Sequence, residues 1–252
     1  SKCYDETPYD STTLESLASI RSINSLKELK KLSFKNHPVG YSLCTALVSQ
    51  FQTTQIPVRT LRKWARRLFL EYLQGYHDAK ELHERNNVEA FLILNGRFPA
   101  PRGVSDYAIE NELLVIAHET DVDSSKYTFL KNRIHSSESV LELYNILANL
   151  DTTILNKETA KNYFTRRLER ISPQVKSFSR LWNLESTVAK LPNRYIAIFT
   201  SSDHESYSIS PERDFENNLS QFEWLAKIAE TFLNLNFCVI LRIHPNAKVT
   251  NR

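Results

Sequence analysis

Methionine is absent altogether from these 252 residues, glycine occurs only four times and cysteine three. Lacking a methionine even at residue 1, the chain reads as a processed piece of a longer protein, or as a sequence whose methionines have been omitted and whose spacings are then in places a residue short. Cys3, Cys44 and Cys238 are far apart and odd in number, which fits reduced thiols rather than a disulfide framework or a clustered zinc site. No apolar run approaches the roughly 20 residues that cross a bilayer, and the opening SKCYDETPYD is neither a signal nor a transit peptide, so a cytoplasmic location is expected. A large excess of either charge is missing too. With 32 Lys and Arg against 29 acidic residues, the net charge of +3 gives no reason to expect a nucleic-acid partner.

What is present is enough apolar material, 41% of the chain, to bury a substantial core in one large or two smaller domains. Leu14, Leu17, Ile20, Ile23, Leu26, Leu29 and Leu32 recur at threes and predict one or two amphipathic helices between Ser11 and Phe34. Pro38 and Gly40 break that pattern, and SLCTALVSQF is read as another short helix that stops before Pro57. Residues 58–86 are the longest periodic stretch, with Leu61, Trp64, Leu68, Tyr72, Tyr76, Ala79 and Leu82 along one face. The same helix carries Arg59, Arg62, Lys63, Arg66 and Arg67, read as a solvated face covering apolar neighbours in preference to a patch for an anionic lipid or polymer.

The period then changes. VEAFLILNG (88–96) and ELLVIAHE (112–119) are short apolar runs separated by the helix-like VSDYAIENE, which predicts a βαβ unit in a parallel sheet covered on both faces. Helical segments follow near 137–149, 157–171 and 174–188, and KLPNR is read as a linker. Beyond it the pattern repeats as YIAIFTSS, the amphipathic QFEWLAKIAETFLNL and FCVILRI. The expectation is an α/β protein, with a Rossmann-like domain rich in extra helices over residues 1–190. Residues 194–252 then form the first βαβ unit of an incomplete second domain.

In parallel sheets, ligands gather beyond the carboxyl ends of the strands. Those ends carry Asn95-Gly96-Arg97, His118-Glu119, Ser201-Ser202 with Glu205, and Arg242 with His244-Pro245-Asn246. His118-Glu119 offers a candidate general base, and Arg242 with His244 puts two potential cations at one strand end.

FLILNGRFPAPRGVSDYAIENELLVIAHE resembles the segment of bacterial capsule and surface-polysaccharide biosynthesis proteins in which a strand ends in Asn-Gly-Arg, a helix follows, and the next strand ends in Glu. IAIFTSSDHE with VILRIHPN is similar to the start of their C-terminal domain. That resemblance implies a GT-B-like glycosyltransferase. Asn95, Gly96, Arg97, Arg102 and His118 would be acceptor-side residues, and Glu119 the base. Ser201, Ser202, Glu205, Arg242, His244, Pro245 and Asn246 would hold the donor, with His244, as in bacterial sialyltransferases and Kdo transferases, on the phosphate of a CMP-sugar. The implied partners are a nucleotide sugar and a saccharide or lipid-linked acceptor at the inner face of a membrane. No cofactor or metal is called for, and what normally follows the His-Pro strand is expected to be missing after Arg252. The alternative is a carbohydrate- or nucleotide-binding module without turnover.

Overall fold

The computed structural model describes residues 10–120, 127–132, 137–150, 157–158, 161–162, 165, 192–200, 207 and 221–243. The chain divides into two compact units; the first holds the described residues up to Asn145 together with Tyr207, and the second those from Ile146 onward apart from Tyr207.

The first unit opens with helices whose ends are written in the sequence. Asp10 caps α1 (Ser11–Ser22) by accepting from the Thr13 N–H at 2.8 Å, and Ser25 caps α2 (Leu26–Lys30) by accepting from the Glu28 N–H at 3.1 Å. The Glu28 carboxylate reaches back to the Asn24 N–H at 2.8 Å, a variant of the capping box. Between α2 and α3 (Gly40–Phe51), residues Phe34 to His37 form a tight turn in which Lys35 (φ 47°) and Asn36 (φ 66°) both lie in the left-handed region. Its tip packs Phe34 edge-on against Phe69, Tyr72 and Tyr76, with ring centroids 5.9, 5.9 and 5.5 Å away. Those rings belong to α4 (Val58–Asn86), the helix that the threes-and-fours spacing predicts. Two of the five residues on its basic face are put to local use. Arg62 donates to the Ile23 carbonyl and to Asn24 Oδ1, both at 2.8 Å, and Arg67 pairs with Glu71 at 3.2 Å.

The sheet follows as β1 (Ala90–Leu94), α5 (Pro99–Glu110), β2 (Leu114–Thr120) and β3 (Tyr127–Lys131), in the order β1-β2-β3. β1 and β2 are parallel in the register Leu94↔His118, as the βαβ reading expects. β3 departs from it: the strand runs antiparallel to β2, pairing Phe129 with His118, so the sheet is mixed. A second departure is the cover. Phe91, Ile93, Val115 and Ala117 are buried on one face, whereas Leu92 (63% exposed), Leu94, Tyr127 and Phe129 (58%) lie open on the other. α5 also begins five residues before the Val104 start that the helix-like segment suggests. Pro99 and Pro101 fall in its first turn, where the missing N–H groups would have no helical partner anyway.

α5 lies against α4 at unusually close range. A β-carbon placed on Gly103 would come 2.1 Å from the Tyr72 carbonyl oxygen, and one on Gly75 would meet the Ala100 carbonyl oxygen at the same 2.1 Å. Half of the chain's four glycines therefore serve one helix crossing. They offset the helix-propensity cost of glycine, about 1 kcal/mol each, by letting the two backbones touch.

After α6 (Ser137–Ala148), the second unit shows β4 (Tyr195–Phe199), α7 (Gln221–Asn234) and β5 (Cys238–Arg242). β4 and β5 are parallel, with Phe199 opposite Arg242, which is the predicted second βαβ unit. Asn236, at φ 58°, turns the chain from α7 toward β5. The molecule is thus a mixed α/β protein. The segments read as helices at 157–171 and 174–188 lie almost wholly outside the described residues.

Gly103→Ala is expected to destabilise the protein by about 1–3 kcal/mol, because the clashing atom is backbone and cannot rotate away. Urea unfolding of the variant checks this, and an unchanged midpoint would mean that the helices are free to separate.

Candidate functional site

The parallel pair β1–β2 delivers its two polar strand ends side by side. Asn95 follows β1 directly, and its N–H donates to the His118 carbonyl at 2.9 Å, extending the ladder by one step. Its side chain continues the buried face of Phe91 and Ile93, and there Nδ2 donates to Glu119 Oε1 at 2.9 Å. The chain then leaves the strand by consecutive left-handed residues, Asn95 at φ 62° and Gly96 at φ 78°. Asparagine and glycine tolerate this region best, so the Asn-Gly step is what lets the turn form here. Arg97 and Phe98 complete the loop into α5, the guanidinium lying 5.3 Å from the Phe98 ring centre.

Two polar atoms at this loop are buried without a partner: Asn95 Oδ1, an acceptor, and Arg97 Nε, a donor. A buried polar group left unmatched costs about 1–3 kcal/mol, so a folded chain seldom keeps two of them in one loop without a use. The first turn of α5 adds little. With prolines at its first and third positions, and the Arg102 N–H bonded to the Phe98 carbonyl at 2.9 Å, Ala100 carries the one N–H still unmatched within the helix start. Anion binding by helix dipole and backbone donors is therefore weak here, and Arg97 is the stronger donor.

Asn95, Gly96, Arg97 and Glu119 thus come together as the strand-end reading expects. His118 and Arg102 do not join them. Residues alternate faces along a strand, so His118 points to the open face, where its ring lies 6.2 and 6.1 Å from those of Tyr127 and Phe129, opposite to Glu119. An imidazole–carboxylate couple from these neighbours is excluded by the pleat. Arg102, only 3% exposed, is turned into the helix crossing, where Nε donates to Asp106 at 2.8 and 3.0 Å. Arg242 ends β5, its carbonyl accepting from the Thr200 N–H at 3.0 Å. Ser201, Ser202, Glu205, His244, Pro245 and Asn246 lie outside the described residues.

Two features escaped the sequence reading. One is Asp121-Val122-Asp123, directly after β2, a carboxylate pair at the spacing that can hold a divalent cation. The expectation that no metal takes part overlooked it, and it too lies outside the described residues. Among the described residues no cluster of three or more potential ligands could hold a metal ion. The other is a buried polar network at the α4–α5 crossing. Asp106, fully buried, accepts from Arg102 and from Tyr72 Oη at 3.1 Å, with His37 Nδ1 3.6 Å away. One turn on, Glu110 Oε2 accepts from Tyr76 Oη at 2.5 Å, lies 3.7 Å from His37 Nε2, and Lys35 donates to the same Tyr76 hydroxyl at 3.0 Å. Tyr72 and Tyr76 read as core-face residues from their spacing; Gly75 and Gly103 were the signal that α4 and α5 approach closely.

Burial, reinforced by the Asp106 charge, pushes the Tyr72 phenol far above its ordinary range, and burial with Glu110 does the same for Tyr76. A phenol whose folded pKa is raised contributes stability that is complete below its unfolded value, about 10, and is lost as pH rises past it, since only the unfolded chain then releases the proton. The protein should lose stability steeply above pH ~10. Tyr72→Phe should cost about 1–3 kcal/mol at neutral pH, by removing a donor from a buried carboxylate, yet lose less than wild type between neutral and strongly alkaline pH. Denaturant titrations across that range test this, and parallel pH profiles would overturn it.

Compared with protein-family models, with curated proteins and with solved structures, the chain matches none.

Proposed function

We propose that the protein is a GT-B-like glycosyltransferase that moves a sugar from a nucleotide-sugar donor to a surface or capsular saccharide. The observation that carries the reading is the Asn95–Glu119 contact at the carboxyl ends of adjacent parallel strands, with an unmatched acceptor and an unmatched donor in the same loop. A hydroxyl-bearing ligand would meet the part-exposed Glu119 and the outer nitrogens of Arg97, since Asn95 Oδ1 and Arg97 Nε are themselves closed off from solvent. In the reaction, the acceptor oxygen attacks the anomeric carbon, its proton passes to Glu119, and the bond to the donor phosphate breaks. Asn95 holds the carboxylate in place through Nδ2. The nucleoside phosphate leaves with negative charge, which His244 and Arg242 stabilise by analogy with the His-Pro enzymes that the sequence resembles. Ser201, Ser202, Glu205, Pro245 and Asn246 belong to the same donor side on that analogy. Among the described residues no helix is long and apolar enough to cross a membrane.

Incubation with CMP-, UDP-, GDP- and CDP-sugars, reading donor binding by thermal shift and turnover by released nucleotide, tests the assignment. Glu119→Gln should lower turnover while leaving donor affinity unchanged. In a full-length form of the protein, His244→Ala should lower it about a hundredfold or more with little change in unfolding midpoint. Donor binding without turnover, in the presence or absence of a divalent cation, would favour the binding-module alternative. No binding to any of the four would overturn the transferase and the nucleotide-binding alternative.

A further inference from the structure

A cleft of about 420 Å³ opens between α3 and α4, outside the strand-end residues and unused by the reaction above. Its volume falls in the range of small-molecule sites, roughly 300–1,000 Å³. Trp64 and Phe98 form its apolar wall, with Leu47 and Leu68 behind, and Ser49, Gln50, Arg67 and Glu71 set polar groups at its rim. Phe51 holds the Trp64 ring edge-on, centroids 5.7 Å apart, so the indole is fixed in place.

The rim decides what the cleft accepts. Arg67 is paired with Glu71 at 3.2 Å and lies 5.1 Å from the Trp64 ring centre, so the site is electrically balanced. A phosphate or carboxylate would have to compete with Glu71 for the guanidinium, and a cation with Arg67 for the carboxylate. A purely apolar ligand would leave the amide, hydroxyl and ion pair without use. A neutral ring with one C–H face and a girdle of hydroxyls suits both halves: the face lies on the aromatic and aliphatic wall, and the hydroxyls bond to Gln50, Ser49, Arg67 and Glu71. Phe98 ties this cleft to the strand end, since Arg97 precedes it in sequence and rests on the same ring.

We propose that the α3–α4 cleft is a saccharide-binding subsite, and that it holds a unit of the acceptor beside the strand-end residues. The saccharide chemistry stands on the cleft alone; the role as acceptor rests on the transferase reading.

The test uses Trp64 as its own reporter. The chain has three tryptophans, so Trp182→Phe with Trp224→Phe leaves Trp64 as the sole indole. Methyl β-glucopyranoside, methyl β-galactopyranoside and N-acetylglucosamine are titrated in turn, with CMP as the anionic control and no nucleotide sugar present. A saturable change in emission with at least one sugar is expected, weakened about tenfold or more by Gln50→Ala and by Glu71→Ala, a loss of about 1.4 kcal/mol. Both side chains are exposed, so neither variant should disturb folding. No saturable change with any of the three sugars, a change indifferent to both substitutions, or a response to CMP in place of the sugars would overturn the proposal. Saturable sugar binding by the wild-type protein, with nucleotide released from none of the four donors, would keep the subsite and sink the transferase. Transfer unaffected by Gln50→Ala and Glu71→Ala would do the reverse.

Discussion

Asp106 is a carboxylate with no exposure to solvent at all, and the helical layer is arranged to keep it company. An isolated charge at that depth would cost several kcal/mol or more, so its partners must be present and well aimed. They come from three separate pieces of chain: Arg102 from its own helix, Tyr72 from α4, and His37 from the turn that precedes α3. Tyr72 can reach only because the two backbones touch at Gly75 and Gly103, and His37 only because Lys35 and Asn36 accept left-handed geometry. Removing one partner leaves the charge buried and short of a bond, so substitutions in this network should be costly.

The same constraint positions the strand-end loop. α5 starts four residues after Asn95, and its angle to the sheet is set by the crossing with α4. Asn95, Arg97 and Phe98 are therefore held between a parallel strand on one side and a helix locked through Asp106 on the other. Such a scaffold suits a binding loop: the chemistry lies on the connection, and packed elements flank it on both sides.

The sequence made some of this legible and hid the rest, for physical reasons. α4 has the bounds that its spacing implies, because a continuous apolar stripe over 29 residues has few other structures open to it. The Asn95–Glu119 pairing could be anticipated, because both residues follow apolar runs that only a parallel pair would place level. β3 could not, since YTFLK is short and its antiparallel partner is chosen by the return of the chain and not by local pattern. The open face of the sheet was likewise hidden: Leu92 and Leu94 read as core in a strand that is apolar on both sides. His118 and Glu119 looked like neighbours with a shared task, and the pleat separates them. The polar network was least legible, because Tyr72 and Tyr76 sit at positions where a side chain of any polarity would be counted as core.

Along the chain, the partners of the buried carboxylate are made in the order His37, Tyr72, Arg102 and then Asp106 itself. During synthesis from the amino end, α1 to α4 are therefore finished while the Tyr72 hydroxyl still faces an empty place and the glycine notches have nothing to receive. β1 emerges next, also without its neighbour. The helical layer and the parallel pair are closed by the same short stretch, α5 with β2, so neither can be completed and left to wait for the other. The joining of the helical layer to the parallel pair therefore waits for residues 99–120.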